Sequence, residues 1–330
     1  LTAVLLLFAA CGGSAPSEGD ASGTPAETPA APAKITSYSL GTAGTTGAQY
    51  IIGAGIANAI NKYSSTINVA VQSTEGGAAA LVMTDAGEMD FGFGNTDTCY
   101  NYYYGTGFVA PEDKTEHVVG VMALQPSFGQ MLARKDSGIE TYADLKGKKV
   151  CLGTTSPTTY SQSRAILKAY GIDPDKDLGK TFIQTQDEGT QMLADGDIDA
   201  TFIVAAVPTA AYENLMVTGD YVLVNADPEI LQKAIDAEMP YAKLGVIEAG
   251  TYEGQDKAIT ALFCKSNIFT RDSVPDEVVY EFVKQVYDNW DEIKLSHAIL
   301  PTLDPASFYD VGFPLHPGAE KYYKEKGYIK

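Results

Sequence analysis

Histidine is scarce in this chain, and the residue patterns of common hydrolases are missing. Only His117, His297 and His316 occur, and none has a neighbouring serine or cysteine motif or the spacing of metal ligands. The sequence also lacks the G-x-S-x-G motif that presents a nucleophilic serine. These absences predict a protein that is not an enzyme and that uses neither a metal nor a cofactor.

Cysteine is also rare, with Cys11, Cys99, Cys151 and Cys264 and no C-x-x-C spacing. If Cys11 carries a lipid, as argued below, an odd number remains, which forms no closed set of disulfides. Cys151 and Cys264 lie in strand-like runs (KKVCLG and ALFCKSN), where cysteine is usually a small core residue. We therefore expect no reactive-thiol chemistry.

Basic residues are too few to balance the acidic ones. The 23 lysines and arginines oppose 42 aspartates and glutamates, which gives a formal net charge of −19. Such a charge repels phosphate backbones and anionic lipids, so nucleic-acid binding is not expected. A small anionic ligand is not excluded, because a pocket depends on its local donors. Beyond the N-terminus there is no run of the roughly 20 apolar residues that a membrane-spanning helix needs.

The N-terminus has the layout of a lipid-anchored protein. The apolar run LTAVLLLFAA ends at Cys11, and the small residues before this cysteine resemble a bacterial lipobox. The resemblance implies a truncated lipoprotein signal peptide over residues 1–11, with acylation of Cys11. The alternative is a buried apolar strand with an ordinary cysteine. Residues 12–33 contain no large apolar side chain, so we expect a disordered tether.

From Lys34 onward, strand-like and helix-like segments alternate, which predicts an α/β protein with parallel strands. Val118–Leu124 and Gly129–Ala133 are predicted as two strands, and a long amphipathic helix is predicted from Pro275 to about Leu295. The pattern describes two α/β units in series, with the last part of the chain available to return to the first unit.

Three corners rich in glycine and hydroxyl groups each lie between a predicted strand and a predicted helix. They are 41–47 (GTAGTTG), 74–77 (TEGG) and 153–159 (GTTSPTT). Glycines let a ligand approach the backbone, and free amides at a helix N-terminus attract anions. The first corner lacks the G-K-[ST] of a phosphate-binding loop. Because ligands of open α/β sheets bind at the carboxyl ends of strands, we expect the corners to converge on one cleft.

Several segments resemble the TAXI family, the solute receptors of TRAP transporters. The similar runs are GTAGTTGAQY at 41–50, STEGGAAAL at 73–81, GEMDFGFGNTDTCY at 87–100, RKDSGIETYADLKGKKVCLG at 134–153, ADGDIDATF at 194–202 and PLHPGAEKYYKEKG at 314–327. The similarity covers nearly the whole chain from about Lys34, in order.

The resemblance implies a two-lobed type II periplasmic-binding-protein fold of the α/β class, with a central ligand cleft and two strands that cross between the lobes. Lobe 1 is expected to comprise 34–124 and 262–330, and lobe 2 to comprise 125–261. It also implies a set of ligand-binding residues: Gly44, Thr45, Thr46, Tyr50, Thr74, Gly76, Asn95, Asp97, Thr158, Thr159, Tyr160 and Pro208.

Some positions depart from the family pattern or allow a second interpretation. Pro157 and Thr158 replace a Ser-Gly pair, and Ala206-Val207-Pro208 replaces G-x-P, so the pocket is expected to be altered. Asp97 has the alternative interpretation of a helix N-cap. The run Tyr100–Tyr104 is predicted either to line the cleft mouth or, as the favoured interpretation, to form a half-buried helix surface.

The sequence as a whole predicts an extracytoplasmic solute receptor, anchored to the outer face of the membrane by a lipid only. Its ligand is expected to be a small amino acid or organic acid, glutamate-like or a 2-oxo acid, which cleft closure traps for a TRAP-type membrane permease. The carboxylate is expected to be held by corner amides and threonine hydroxyls. The alternative function is a ligand-binding lipoprotein of a signalling system on the same fold.

Overall fold

A computed structural model describes residues 35–45, 47–107, 109, 111–153 and 157–330. The expected lipid-anchor cysteine Cys11, the tether and Thr46 lie outside the described residues. No helix among those ranges combines the length and the apolarity needed to cross a membrane.

Strands and helices alternate along most of the described chain. The strands are β1 (Thr36–Thr42), β2 (Ile67–Ser73), β3 (Phe91–Asn95), β4 (Val118–Arg134), β5 (Lys149–Cys151), β6 (Lys180–Phe182), β7 (Ala200–Ala205), β8 (Tyr221–Leu223), β9 (Lys243–Ile247) and β10 (Ile259–Arg271). The helices are α1 (Ala48–Tyr63), α2 (Gly77–Asp85), α3 (Thr96–Tyr104), α4 (Pro157–Ala169), α5 (Gln186–Ala194), α6 (Ala210–Met216), α7 (Pro228–Glu238), α8 (Asp276–Asp288), α9 (Trp290–Ile293) and α10 (Pro317–Glu325).

The strands form one mixed sheet in the order β2-β1-β3-β10-β4-β7-β5-β6, with β8 paired to β4 and β9 paired to β10. At one end β1 runs parallel to both β2 and β3, and at the other end β5 runs parallel to both β6 and β7. The long strands β4 and β10 are antiparallel to each other and lie between these two parallel groups. The fold is therefore two α/β units joined through a central pair of long strands.

Separate apolar cores lie on the two sides of that pair. The first contains Leu40, Phe91 and Phe282, and the rings of Phe91 and Phe282 stack with centroids 4.7 Å apart. The second contains Val150 and Phe202, from β5 and β7. We call the elements around the first core (β1–β3, α1–α3 and α8–α10) lobe 1, and those around the second (β5–β9 and α4–α7) lobe 2.

The chain crosses between the lobes where β4 and β10 depart from regular pairing. Lys265 pairs with Pro126, and the register shifts between Lys265 and Asn267. A proline cannot donate to a sheet ladder, and a bulge bends a strand, so both features place a bend at this level. We propose lobe boundaries at 124/125 and 261/262, close to these residues.

Two of the predicted elements differ from the observed ones. The segments predicted as two strands, 118–124 and 129–133, form the single strand β4, because the antiparallel pairing with β10 continues past Pro126. The predicted helix 275–295 ends earlier: α8 stops at Asp288, and Asn289 separates it from the short α9. The apolar face that was predicted for this helix is nevertheless buried, with Val279, Phe282 and Val286 fully inaccessible.

Candidate functional site

The two predicted corners of lobe 1 and the start of α3 follow strands that end at the same edge of the sheet. Thr42 at the end of β1 pairs with Ser73 at the end of β2, and Gly41 pairs with Gly92 of β3. Because these strands are parallel, the segments after them leave from one edge. The corner 41–47, the corner 74–77 and the start of α3 are therefore neighbours.

Thr74 links the corners 41–47 and 74–77 through hydrogen bonds. Its main-chain amide and its hydroxyl group each donate to the carbonyl oxygen of Thr42, at 2.7 Å in both cases. The amide of Gly76 donates to the Thr74 hydroxyl oxygen at 3.2 Å. Thr74 thus positions the corners through its side chain, and its predicted contact with a ligand stays a prediction.

The other predicted residues of these corners that the structure describes are accessible in whole or in part. Gly44 and Thr45 are exposed, whereas Gly76 and Tyr50 are half-buried. Gly76 has a φ of +130°, which glycine adopts without strain, and it precedes the first turn of α2. The backbone at Gly44 is therefore accessible to solvent, and its contact with a ligand stays a prediction.

Asn95 ends β3 and makes a network that reaches both lobes. Its Oδ1 atom accepts from the Ser266 hydroxyl at 3.0 Å and from the Gln49 side-chain amide at 3.3 Å. Its Nδ2 atom lies 3.5 Å from the Thr158 hydroxyl oxygen, across the cleft on α4. These partners fix the orientation of the Asn95 amide where β3 meets α3.

Asp97 lies in the first turn of α3 and is completely buried. The alternative interpretation as an N-cap is wrong, because Asn95 occupies that position and makes no side-chain cap. The Asp97 carboxylate instead accepts a hydrogen bond from the Thr158 hydroxyl, at 2.6 Å from Oδ2. The other oxygen, Oδ1, has no hydrogen-bond partner among the described residues. Asp97 and Thr158 thus join the two lobes.

Burial shifts the pKa of the Asp97 carboxyl group. Removal from water raises the pKa of Asp97 from 3.8 to about 6, although the hydrogen bond from Thr158 opposes the increase. Burial likewise raises the pKa of the Cys99 and Cys264 thiols, and the nearby Asp97 charge adds to the effect. Cys99, Cys151 and Cys264 are free and buried. The centre of the interface therefore contains acidic groups in a low-dielectric environment.

The lobe 2 corner is shaped by contacts around Gly153. This residue has a φ of +85°, and a Cβ atom there would lie 2.2 Å from the Thr159 methyl carbon. The Thr159 side chain therefore packs onto Gly153, whereas residues 154–156 of this corner lie outside the described residues. Thr158 is buried against lobe 1, and the ring of Tyr160 is half-buried, with the Arg164 guanidinium 5.1 Å from its centroid. Of the predicted residues Thr158, Thr159 and Tyr160, the structure shows an interlobe hydrogen bond for Thr158 alone.

Pro208 lies just beyond the carboxyl end of β7. In the sheet, β7 pairs with β5, the strand that leads into the lobe 2 corner. Pro208 is exposed and follows a cis peptide bond with Val207. The Tyr252 hydroxyl accepts from the amide of Thr209 at 3.1 Å and donates to the Gln130 side chain at 2.6 Å. This pair of hydrogen bonds anchors the segment after β7 to the central strand β4.

A cavity of 530 Å³ opens between α3 of lobe 1 and α4 and α7 of lobe 2. Tyr100, Tyr160, Arg164 and Tyr241 are among the residues that line it. Tyr100 packs on Tyr241 with ring centroids 5.5 Å apart. The tyrosine run therefore forms a half-buried helix face, and one of its members also lines the mouth between the lobes.

Sequence reasoning missed several residues that complete this interface. Gln49 lies inside the GTAGTTGAQY run, so its position was a usable signal. Ser266 and Gln162 gave no local signal, because their contacts with Asn95 and Cys264 join positions 171 and 102 residues apart. Among the described ranges, no group of three or more His, Cys, Asp or Glu residues is arranged to hold a metal ion.

The arrangement of two α/β lobes, a double crossing and a polar interface between them is the fold of the two-lobed periplasmic binding proteins. Residues 40–327 match the model of the NMT1-like family, and the chain belongs to that family.

Similar folds occur in solved binding-protein structures of low sequence identity. The periplasmic aliphatic sulphonate binding protein SsuA from Escherichia coli is 16% identical, with a TM-score of 0.50 and coverage of 88% of this chain and 83% of that chain. MatC from Rhodopseudomonas palustris, solved with bound malate, is 12% identical, with a TM-score of 0.52 and coverage of 88% and 97%. A Xanthomonas citri protein bound to ATP is 10% identical, with a TM-score of 0.54 and coverage of 89% and 99%.

Proposed function

We propose that this protein is an extracytoplasmic solute receptor that traps a small amino acid or organic acid between its lobes. The observation that carries the proposal is the hydrogen bond between Thr158 of lobe 2 and the buried Asp97 of lobe 1. A contact of this kind exists only when the lobes are together. A solute that touches both lobes therefore favours the closed state through interactions that an open cleft lacks.

A carboxylate-bearing solute is supported by the chemistry of the corners. Gly44 and Thr45 are exposed beside the N-terminus of α1, where main-chain amides and hydroxyl groups suit an anion. Two proteins of similar fold are described with anionic ligands, malate for MatC and aliphatic sulphonates for SsuA. Glutamate-like compounds and 2-oxo acids are the candidates that the sequence resemblance favours.

The partner that we propose is a TRAP-type membrane permease of the TAXI class, with Cys11 as the lipid anchor that holds the receptor at the membrane. Closure would supply the surface that the permease recognises, and an ion gradient would drive uptake without ATP. A receptor of a signalling system is the second candidate. We propose no catalytic role, because the polar groups that the structure describes at the interface include no arrangement of a nucleophile with a base.

The binding proposal is tested by native mass spectrometry of the purified protein, followed by calorimetry with glutamate, glutamine and 2-oxoglutarate. For the solute that binds, the double variant Thr45→Ala/Thr46→Ala is expected to weaken affinity at least tenfold. A matched double variant on lobe 2, Thr190→Ala/Thr218→Ala, should bind normally, since these hydroxyls donate only to carbonyls within their own turns. Unchanged affinity in the first variant would remove the corner 41–47 from the site.

The transport proposal needs a separate measurement. The receptor and a multi-span membrane subunit encoded beside it are reconstituted in vesicles, and uptake of the bound solute is followed with and without an ion gradient. Uptake that requires the gradient supports the TRAP assignment. Uptake that requires ATP instead, or a neighbouring gene for a sensor kinase with no uptake at all, contradicts it.

A further inference from the structure

The Asp97 carboxyl group has an unused hydrogen-bonding atom at the centre of the interface between the lobes. Its Oδ2 atom accepts from Thr158, but Oδ1 has no hydrogen-bond partner in the part of the chain that the structure describes, although the residue is fully inaccessible to solvent. A buried carboxylate oxygen without a donor costs more than a buried neutral group. This position is therefore incomplete without a group that donates hydrogen bonds.

A second unpaired acceptor belongs to the same cluster of side chains. Gln162 of α4 is fully buried, and its Oε1 atom likewise has no hydrogen-bond partner among the residues that the structure describes. Its Nε2 atom lies 3.7 Å from the sulfur of Cys264, and the charge of Asp97 raises the pKa of that thiol. Two buried oxygens near Cys264, Oδ1 of Asp97 on α3 and Oε1 of Gln162 on α4, therefore accept no hydrogen bond from any described residue.

The charge at this position is also unbalanced. No lysine, arginine or histidine of the described ranges forms an ion pair with Asp97, and burial dominates its electrostatics. The amino end of α3 favours a negative charge in its first turn but supplies only a partial positive charge. A ligand that brings a full positive charge together with several N–H donors would satisfy both the charge and the unpaired oxygen.

We propose that Asp97 is the residue that selects solutes bearing a protonated amine, so that amino acids bind and the matching 2-oxo acids are rejected. The inference rests on the proposed receptor function and names its substrate class. The ammonium group donates to Oδ1 of Asp97, while Thr158 holds the other carboxylate oxygen. A keto oxygen in the same place has no hydrogen to donate to Oδ1 of Asp97.

The expected discrimination is large, since a site built around a substrate N–H strongly rejects an analogue that lacks it. We expect an amino acid to bind at least about 100-fold more tightly than its 2-oxo counterpart. A water molecule that satisfies Oδ1 in the closed complex is the alternative, and it would leave the two members of each pair bound with similar affinity.

The experiment uses matched solutes and matched variants. Calorimetry at pH 7.5 compares glutamate with 2-oxoglutarate and alanine with pyruvate on the wild-type protein. The same pairs are then measured on Asp97→Asn, whose amide oxygen still accepts from Thr158 but carries no charge. Asp90→Asn is the control, because Asp90 is a lobe 1 carboxylate that accepts from Ser39 at the other end of β3.

Asp97→Asn is expected to weaken amino-acid binding at least tenfold and to reduce the preference over the 2-oxo acid, whereas Asp90→Asn keeps the preference. Wild-type protein that binds a 2-oxo acid as tightly as its amino acid overturns the inference but leaves the receptor function standing. An unchanged preference in Asp97→Asn overturns it as well. If no member of any pair binds, the proposed solute class fails, and the inference fails with it.

Discussion

The Thr158 hydroxyl donates a 2.6 Å hydrogen bond to the Asp97 carboxylate, and this bond joins the first turn of α4 in lobe 2 to the first turn of α3 in lobe 1. Both residues are buried in this conformation. When the lobes separate, both groups become free to hydrate. The bond therefore reports directly on closure, and the substitutions below use it.

The first prediction concerns the hydroxyl side of this pair. Thr158→Val keeps the shape of the side chain but removes the hydroxyl donor to the buried carboxylate, and the loss of a hydrogen bond to a charged group costs about 1.5–3 kcal/mol. Closure becomes less favourable, and we expect solute affinity to fall at least tenfold by calorimetry.

A matched control for Thr158→Val is Thr190→Val on α5, whose hydroxyl donates only to the carbonyl of Gln186 in its own helix. Small-angle scattering should show that the wild type and the control contract on solute addition and that Thr158→Val contracts less at the same concentration. Equal affinities for all three proteins would show that the interlobe bond does not contribute to closure.

The second prediction concerns the pH dependence of stability. The folded-state pKa of Asp97 is raised from 3.8 to about 6. Between these values the native protein holds a proton that the unfolded chain has lost, so the contribution of Asp97 to stability falls as pH rises through this range. One pKa unit corresponds to about 1.4 kcal/mol, so charged Asp97 costs the native state about 3 kcal/mol at pH 7.

Asp97→Asn removes this titration, and we expect the variant to have a higher free energy of unfolding than the wild type at pH 7. The advantage should diminish toward pH 4, as measured by urea denaturation of the ligand-free proteins at each pH. A variant that is less stable at pH 7 and shows the same slope as the wild type would contradict the prediction. If the prediction holds, Asp97→Asn stabilises the fold at pH 7 and also weakens the binding of amines.

A third prediction separates a packing glycine from a ligand-facing one. A Cβ atom on Gly77 would lie 2.6 Å from the Gly94 Cα atom, and main-chain atoms of β3 cannot move aside without disturbing the sheet. Gly77→Ala is therefore expected to lower the melting temperature of the protein. A Cβ atom on Gly44 would have no atom within 4 Å, so Gly44→Ala should melt normally.

If the corner at Gly44 holds the solute through its backbone, the added methyl group lies where the ligand approaches. We therefore expect Gly44→Ala to weaken binding in calorimetry while its melting curve stays that of the wild type. Normal binding by Gly44→Ala would indicate that this part of the corner does not touch the ligand.

The fourth prediction concerns His316, which is fully inaccessible and caps α10. Its Nδ1 atom accepts from the amide of Gly318 at 3.1 Å, so the proton lies on Nε2, which donates to the carbonyl of Val274 at 2.9 Å. Burial lowers the pKa of His316 below 6.5. The neutral His316 imidazole thus makes its full contribution to the free energy of unfolding above pH 6.5. This contribution is lost as pH falls, because the unfolded chain takes up the proton first.

His316→Asn can still cap the helix but does not titrate. Between pH 6.5 and pH 5, the free energy of unfolding should therefore decline more steeply in the wild type than in the variant. At pH 7.5 the variant should be less stable than the wild type, because it loses the hydrogen bond to Val274. Parallel pH profiles for the two proteins would count against the assignment of a buried neutral imidazole.

Some of the candidate site could be read from short segments of sequence. Parallel strands end at one edge of a sheet, so Thr42, Ser73 and Asn95 were bound to become neighbours once the strands β1–β3 were recognised. The interpretation of Asp97 as an N-cap failed because local propensity for helix ends cannot detect a partner 61 residues away. Gln162 and Ser266 were overlooked for the same reason.

The sequence alone determined the alternation of strands and helices and the glycine-rich corners, since each depends on residues close together in the chain. The TAXI-like runs also pointed to a two-lobed binding fold before any contact was visible. Only the tertiary structure decided that β4 continues as one strand through Pro126 and that Thr158 meets Asp97. It also decided that Oδ1 of Asp97 has no hydrogen-bond partner within the described ranges. These features depend on the packing of one lobe against the other. The free energy of such contacts depends on distance and burial, and a local sequence pattern does not encode either of them.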